Sequence, residues 1–297
     1  MATILTLTAN TLLDHLARSA LPAGAVTRIE RFEIVAGGKG LNVGRVLARH
    51  GHRVLASGFA GGSSGQTLAD LVAADGMQAH FVPTAARTRV GFLCQHPSGG
   101  KTSLLEDGFP VTEGEVEDLV ARIRELLPQV DLVIAGGSVP DPTCTFLYRL
   151  VLDACFLANV PCWIDSYGMA MDQALTAPHP PGLAKPNLEE YGPSGLRWVT
   201  AGELHLTDGP REIRVRHPQG RFRVTPPPVL EKNPVGSGDC YLAALAHARL
   251  SGWDLIAQLR YAAAAGAANA AHGEVARIRP ADIEALVGKV SIRTSSD

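Results

Sequence analysis

Residues Thr3–Thr8 alternate threonine with isoleucine and leucine, the period-two pattern of a buried strand. Apolar runs at Val54–Phe59, Leu132–Ala135 and Cys162–Asp165 read as strands too. Between them the period lengthens. Leu41–His50 sets Val43, Val46 and Leu47 on one helical stripe and stops at Gly51, a C-cap signal. Thr67–Ala74, Glu113–Leu127 and Thr145–Ala158 are helical by the same test. Strand and helix in alternation predict an α/β chain with a mostly parallel sheet. Leu204–Thr207 and Glu212–Arg216 are again strand-like, and Leu255–Ala271 and Asp282–Val287 helical. Glu190–Leu204 reads as loop without a full helix, and Thr294–Asp297 as a frayed end.

Two stretches break the alternation. Leu16–Val35 holds two short strand-like runs around Pro22-Ala23-Gly24. In Arg87–Glu106, Val90–Gln95 and Lys101–Leu105 flank Pro97-Ser98-Gly99-Gly100, a hairpin signal. Together they predict a small second sheet.

Composition narrows the class. A chain of 297 residues, 46% hydrophobic and 19% charged, fits one large domain with a sizeable core, or a domain with a small appendage. A net charge of -2 argues against nucleic acid and acidic membrane surfaces as partners. The longest Ala-rich run, Tyr261–Ala271, is too short and too weakly apolar to span a bilayer. Cys94, Cys144, Cys155, Cys162 and Cys240 form no Cys-x-x-Cys pair, so free thiols and a cytoplasmic location are expected, with no signal peptide. The histidines show no metal-ligand spacing.

The chemistry gathers at two glycine-rich turns. In Asn233-Pro234-Val235-Gly236-Ser237-Gly238-Asp239, glycines run into an Ala/Leu-rich helix. Such a turn presents N–H groups and the positive helix end to an anion. A carboxylate beside an anion site has a use if it takes the proton of a hydroxyl that attacks a γ-phosphate. A helix start capped by Ser237 and Asp239 has the same pattern. Gly37-Gly38-Lys39-Gly40-Leu41-Asn42 lacks the spacing of a Walker A loop, but joins close backbone approach to a cation and an amide. A glycine-rich helix start with a solvated lysine is the plainer reading. Gly136-Gly137-Ser138 follows a buried strand, where a hydroxyl reaches the ligand-binding edge of an α/β sheet.

Taken together, Gly37–Val43 and Val235–Asp239 resemble, in order and separation, the two signatures of the PfkB, or ribokinase-like, carbohydrate kinases. The resemblance covers nearly the whole chain. It is strongest for the sugar-phosphate branch, which includes 1-phosphofructokinase, tagatose-6-phosphate kinase and the minor 6-phosphofructokinase. Thr6–Asp14, Gly24–Arg28, Thr88-Arg89 and Glu106-Asp107-Gly108 carry that similarity. It implies a three-layer ribokinase-like α/β fold, one kinase domain over residues 1–297, with a β-sheet lid from segments of about 11–35 and 87–106.

The resemblance also implies roles. Asp239 would be the general base, with Gly236, Ser237 and Gly238 completing an anion hole. Asp14, Gly38 and Asn42 would bind the sugar. Lys39, Arg89, Arg28 and Ser138 would hold a phosphate already on it. ATP and Mg²⁺ are the implied cofactors. Lys185, Asn187, Glu190, Thr207, Gly209 and Asn269 would serve the nucleotide, Glu190 meeting the metal through water. Arg28 would equally suit a surface charge, Asn269 a helix face and Glu106 the hairpin. The implied assembly is a homodimer through the lid. Three departures from the family pattern stand out: Asn233-Pro234 in place of Asp or Asn followed by Thr, Thr11-Leu12-Leu13 before Asp14, and a short segment between Glu190 and Thr207. A kinase of an unphosphorylated sugar or nucleoside, and a sugar-phosphate-binding protein without catalysis, stay open as alternatives.

Overall fold

The computed structural model describes residues 1–22, 24–97 and 100–295. Ala23 of the first lid break, Ser98 and Gly99 of the expected hairpin turn, and the last two residues of the expected frayed end lie outside the described residues.

The strands are β1 (Thr3–Thr8), β2 (Leu12–Arg18), β3 (Glu33–Gly37), β4 (Arg53–Ala60), β5 (Gln78–Pro83), β6 (Arg89–Gln95), β7 (Lys101–Leu105), β8 (Leu132–Gly136), β9 (Cys162–Asp165), β10 (Leu183–Ala184), β11 (Glu203–Asp208), β12 (Glu212–His217), β13 (Gly220–Thr225) and β14 (Ser291–Ser295). The helices are α1 (Lys39–Arg49), α2 (Gly62–Ala74), α3 (Glu113–Leu126), α4 (Leu147–Leu157), α5 (Gly168–Leu175), α6 (Leu188–Ser194), α7 (Ser237–Leu250), α8 (Leu255–Ala271) and α9 (Pro280–Val287).

Ten strands form one sheet in the order β14-β13-β12-β11-β10-β9-β8-β1-β4-β5. From β5 to β11 every neighbouring pair is parallel, and β12, β13 and β14 close one edge antiparallel. The period-two pattern of β1 serves both faces. Ile4 belongs to the core cluster that includes α1, α2, α7, α8 and α9, while Leu5 and Leu7 belong to the one that includes α3, α4 and α5. Three layers result, as the alternation of elements predicts. Alanines at Ala243, Ala244, Ala262 and Ala265, all fully buried, let α7 and α8 lie close together. The second sheet has the order β3-β2-β6-β7 and matches the expected lid.

The structure extends or corrects several expectations. β5 and α5 carry no strong periodicity, and each is held by its neighbours: β5 pairs with β4, and α5 buries Ala170, Met171, Ala174 and Leu175. Glu190–Leu204 is not plain loop. It contains most of α6 and a 3-10 turn over Gly195–Thr200, anchored by buried Trp198, whose Nε1 donates to the Tyr191 carbonyl at 2.9 Å. Thr294 and Ser295 are not frayed but pair with β13, because β14 covers that sheet edge. No helix among the described residues is long and apolar enough to cross a membrane.

Away from the ligand-binding edge, the C-terminal ends of α1 and α7 meet through histidines. The Ala2 N–H donates to His52 Nδ1 at 3.3 Å, which leaves His52 Nε2 to donate to His247 Nδ1 at 2.9 Å. His247 also packs against His50, Trp253 and Tyr261. Burial, then the neighbouring histidines, lower the His247 imidazole to about 4, and burial also lowers His50 and His52. The folded state holds these rings neutral, while the unfolded chain protonates them near 6.5. Their contribution is therefore complete above pH ~6.5 and is lost as pH falls toward 4. Denaturant titrations at pH 7 and pH 5 should show lower stability at pH 5, and the loss should shrink in His247→Phe. Equal pH dependence in both proteins would contradict this account.

Candidate active site

α1 and α7 both begin at the C-terminal edge of the parallel strands, where an open α/β sheet binds ligands. Thr8, the last residue of β1, accepts the Leu41 N–H on its Oγ1 at 3.0 Å and so seats the first turn of α1. Gly38 immediately precedes that turn. At α7, Gly236 occupies the left-handed region with φ 82, which glycine adopts without strain. Pro234 fits this turn: its carbonyl accepts the Ser237 N–H at 3.2 Å, and the Asn233 Oδ1 accepts the Val235 N–H at 3.1 Å. The N–H groups of Gly236, Gly238 and Asp239 have no protein acceptor among the described residues, whereas that of Ser237 is engaged. A side chain at Gly238 would place its Cβ 2.8 Å from the Lys185 Nζ, so the ammonium lies directly over this turn. Three free donors, a helix N-terminus and a lysine make an anion site.

Asp239 sits inside it. Its Oδ2 accepts from the Asn42 Nδ2 at 2.7 Å, joining α7 to α1. Burial, then the nearby Asp165 carboxylate, push the Asp239 carboxyl up to about 6, against Lys39, Asn42 and Lys185. A buried carboxylate of that acidity is suited to accept a proton near neutral pH.

Asp165 was not singled out from the sequence. It ends β9 and is 2% exposed, with Lys39 at 2.8 Å and Lys185 at 3.0 Å. The two ammonium groups hold its carboxyl below its ordinary value although burial alone would raise it. The available signal was its place, an acid at the end of an apolar strand. Lys39 also pairs with Glu190 at 2.8 Å, and its Nζ lies 5.7 Å from the Tyr167 ring centroid. Burial would lower the Lys39 ammonium, but Asp165, Glu190 and Asp239 raise it above its ordinary value.

Glu190 and Asn187 form a capping box at the start of α6, each side chain accepting the other's backbone N–H at 2.9 Å. Thr207 bridges to Asn187 across the sheet edge, and Gly209 lies exposed in the following turn. Asp165, Glu190 and Asp239 outnumber Lys39 and Lys185 in charge. Among the described residues no group of three or more His, Cys, Asp or Glu side chains is arranged to hold a metal ion. This donor set fits a hard divalent cation carried largely by water and phosphate.

The lid closes the other side. Arg89 donates to the Glu106 carbonyl at 3.0 Å and the Asn10 carbonyl at 3.3 Å, and the Asn10 Nδ2 donates to Ser138 Oγ at 3.0 Å. Asn10 Oδ1, Asp14 Oδ1 and Arg89 Nε are buried without a hydrogen-bond partner. Buried polar atoms are normally paired, so three orphans near one cleft point to a polar ligand. Burial raises the Asp14 carboxyl, against His15 and Arg89.

Three expected residues lie otherwise than the resemblance implies. Arg28 is exposed, with no partner among the described residues. Lys39 is turned toward the Asp165 and Glu190 carboxylates, which attract it more strongly than an open cleft does. Asn269 is fully buried and offers nothing to a nucleotide. Its Nδ2 donates to the Val235 carbonyl at 2.8 Å and Ser237 Oγ at 3.1 Å, and its Oδ1 accepts the Ala276 N–H at 2.8 Å, so it braces the glycine turn.

A family model described as pfkB family carbohydrate kinase matches residues 7–193 and 196–281. A possible 1-phosphofructokinase from Thermotoga maritima superposes with a TM-score of 0.89 at 18% identity, over 99% of this chain and 100% of that one. Phosphofructokinase-2 from Escherichia coli, in complex with fructose-6-phosphate, gives 0.85 at 23% identity over 97% and 99%. A carbohydrate kinase from Agrobacterium tumefaciens gives 0.75 at 18% over 99% and 100%. The chain belongs to the pfkB family of carbohydrate kinases, which are ATP-using phosphotransferases.

Asp165→Ala should destabilise the fold by about 3–5 kcal/mol, because Lys185 is then buried without its counter-ion. Denaturant titration against wild type at pH 7 measures this, and a loss under ~1 kcal/mol would mean that the pair is solvent-screened.

Proposed function

We propose that this pfkB-family kinase transfers the γ-phosphate of MgATP to a hydroxyl of a sugar phosphate, most similar in action to a 1-phosphofructokinase, within one kinase domain spanning residues 1–297. The observation that carries the reading is Asp239: a buried carboxylate, bonded to Asn42, inside a helix N-terminus with three free N–H donors.

Asp239 takes the proton of the attacking hydroxyl as the new O–P bond forms, the bond from the γ-phosphorus to the bridging oxygen breaks and ADP leaves with that electron pair. Gly236, Gly238 and Asp239 N–H groups, with Lys185, hold the charge on the transferred group. Asp14 and Asn42 orient the sugar, and Asn42 keeps one N–H for it beyond the bond to Asp239. Arg89 and Ser138 face a phosphate already on the sugar, an acceptor for which a guanidinium fork is suited. Glu190 and Asn187 would hold the metal through water, and Thr207 and Gly209 would serve the nucleotide phosphates. Bound MgATP supplies the phosphoryl group and the cation's charge.

One observation favours a second reading. Lys39 is held by two carboxylates and Arg28 stands apart, so the clamp rests on Arg89. A neutral sugar needs less than that. Similar solved structures include the tetrameric inhibited form of phosphofructokinase-2 from Escherichia coli. Here the lid face opposite Asp14 carries His15, Ile34, Phe92 and Leu104 in register, with Leu104 65% exposed. A second copy of this lid would cover it, giving a homodimer.

Asp239→Asn should lower kcat by about 10²–10⁴-fold with sugar and nucleotide binding kept. Near wild-type turnover would remove Asp239 as the base. In the wild type, kcat should fall as pH drops through about 6, because only the deprotonated Asp239 accepts a proton. A flat profile between pH 5 and pH 8 would contradict that role. Leu104→Asp should convert a dimer to a monomer in sedimentation, and an unchanged mass would place the interface elsewhere.

A further inference from the structure

We propose that Arg45 is a positioning residue for phosphoryl transfer: it acts on Asp239 through Asn42. The inference rests on Asp239 as the base.

Arg45 lies three residues after Asn42 on α1, one turn along the same face. It is 1% exposed. Its guanidinium reaches three separate elements. Nε donates to Asp75 Oδ2 at 2.6 Å, just past the end of α2. Nη2 donates to the Ala36 carbonyl of β3 at 2.6 Å, and Nη1 donates to Asn42 Oδ1 at 2.9 Å.

The last bond fixes the Asn42 amide. Arginine carries donors only, so the atom facing it must be the oxygen. The Asn42 nitrogen then faces Asp239 Oδ2 at 2.7 Å. A flipped amide would set N–H against guanidinium and oxygen against carboxylate, two repulsive contacts in place of two hydrogen bonds. The carboxylate is thereby held by one oxygen, and its Oδ1 has no hydrogen-bond partner among the described residues. That oxygen is the one left to receive a proton.

An apolar side chain would fill the same space without the cost of burying a charge. What it would not supply is a rigid fork with three donors aimed at α2, the lid sheet and Asn42. Arg277 reinforces the arrangement. Its Nη1 lies 3.5 Å from Asp75 Oδ1, and its Nε 3.9 Å from Glu33 of the lid. The orientation of the base is therefore tied to the lid root. Asp239 is also faced by Asp165 on β9, Lys39 on α1 and Lys185 after β10, and none of these bonds to Arg45.

The test uses Arg45→Lys and the double variant Arg45→Met/Asp75→Asn, which leaves no lone buried charge between them. Two readouts are taken on the full chain. One is the titration of the Asp239 carboxyl by ¹³C NMR in aspartate-labelled protein, assigned with Asp239→Asn. The other is ADP release from MgATP with fructose 6-phosphate and with fructose 1-phosphate. With Asn42 released, Asp239 should titrate about one pH unit higher. kcat at pH 7 should fall about 10- to 100-fold, while KM for the sugar phosphate stays within about 3-fold. Arg45→Lys should keep the fold by thermal melting yet fail to restore either value, since an ammonium cannot span the three acceptors. An Asp239 titration unchanged in Arg45→Lys overturns the proposal, as does recovery of kcat once the unfolded fraction is subtracted. If Asp239→Asn itself keeps its turnover, the base reading fails, and the titration still decides whether Arg45 orients the Asn42–Asp239 pair.

Discussion

A carboxylate buried at the N-terminus of α7 is the constraint around which this molecule is arranged. The helix end and its free N–H groups attract negative charge, and Asp239 fills part of that demand at the cost of leaving water. Its neighbour Asp165 makes the burial harder, and Lys39 and Lys185 make it tolerable. The four groups come from β9, α1, the segment after β10 and α7, which meet only at the C-terminal edge of the parallel strands. The order β10-β9-β8-β1 brings them there. Three carboxylates, Asp165, Glu190 and Asp239, thus face two ammonium groups, Lys39 and Lys185.

The lid completes this arrangement from outside. One face of its sheet turns Asp14 and Arg89 toward the cleft, and the opposite face exposes Ile34 and Leu104. Because side chains alternate along a strand, the strands that turn Asp14 and Arg89 toward the cleft carry Ile34, Phe92 and Leu104 on the other face. Under the proposed function, substrate enclosure and association between chains would be linked through one thin layer.

Much of this was legible in the sequence, for local reasons. Both glycine turns, the pattern of β1 and the hairpin strands of the lid are written in contiguous residues. Asp239 and Asn42 could be picked out because each sits in such a turn, and Asp14 and Lys185 through the family resemblance alone. What was not legible depends on non-local pairing. Asp165 matters through the sheet order that sets it between two lysines. The resemblance places Asn269 at the nucleotide, with a helix face as the plainer reading, yet it is a buried brace, because the turn from Asn233 to Ser237 folds back onto α8. Arg45 reads in sequence as an ordinary helical arginine, and only its three acceptors on separate elements distinguish it. Thr294 and Ser295, the end of β14, read as a frayed tail because an edge strand is specified by the edge it covers.

The central claim is that Asp239 activates a hydroxyl on a sugar that already carries a phosphate. Its most direct test is initial-rate ADP release from MgATP across fructose 1-phosphate, fructose 6-phosphate, tagatose 6-phosphate, fructose, ribose and a nucleoside. The account predicts turnover confined to the phosphorylated sugars. Turnover confined to the neutral acceptors would contradict the phosphate-facing role of Arg89 and Ser138, and no turnover on any of the six would contradict the claim of catalysis itself.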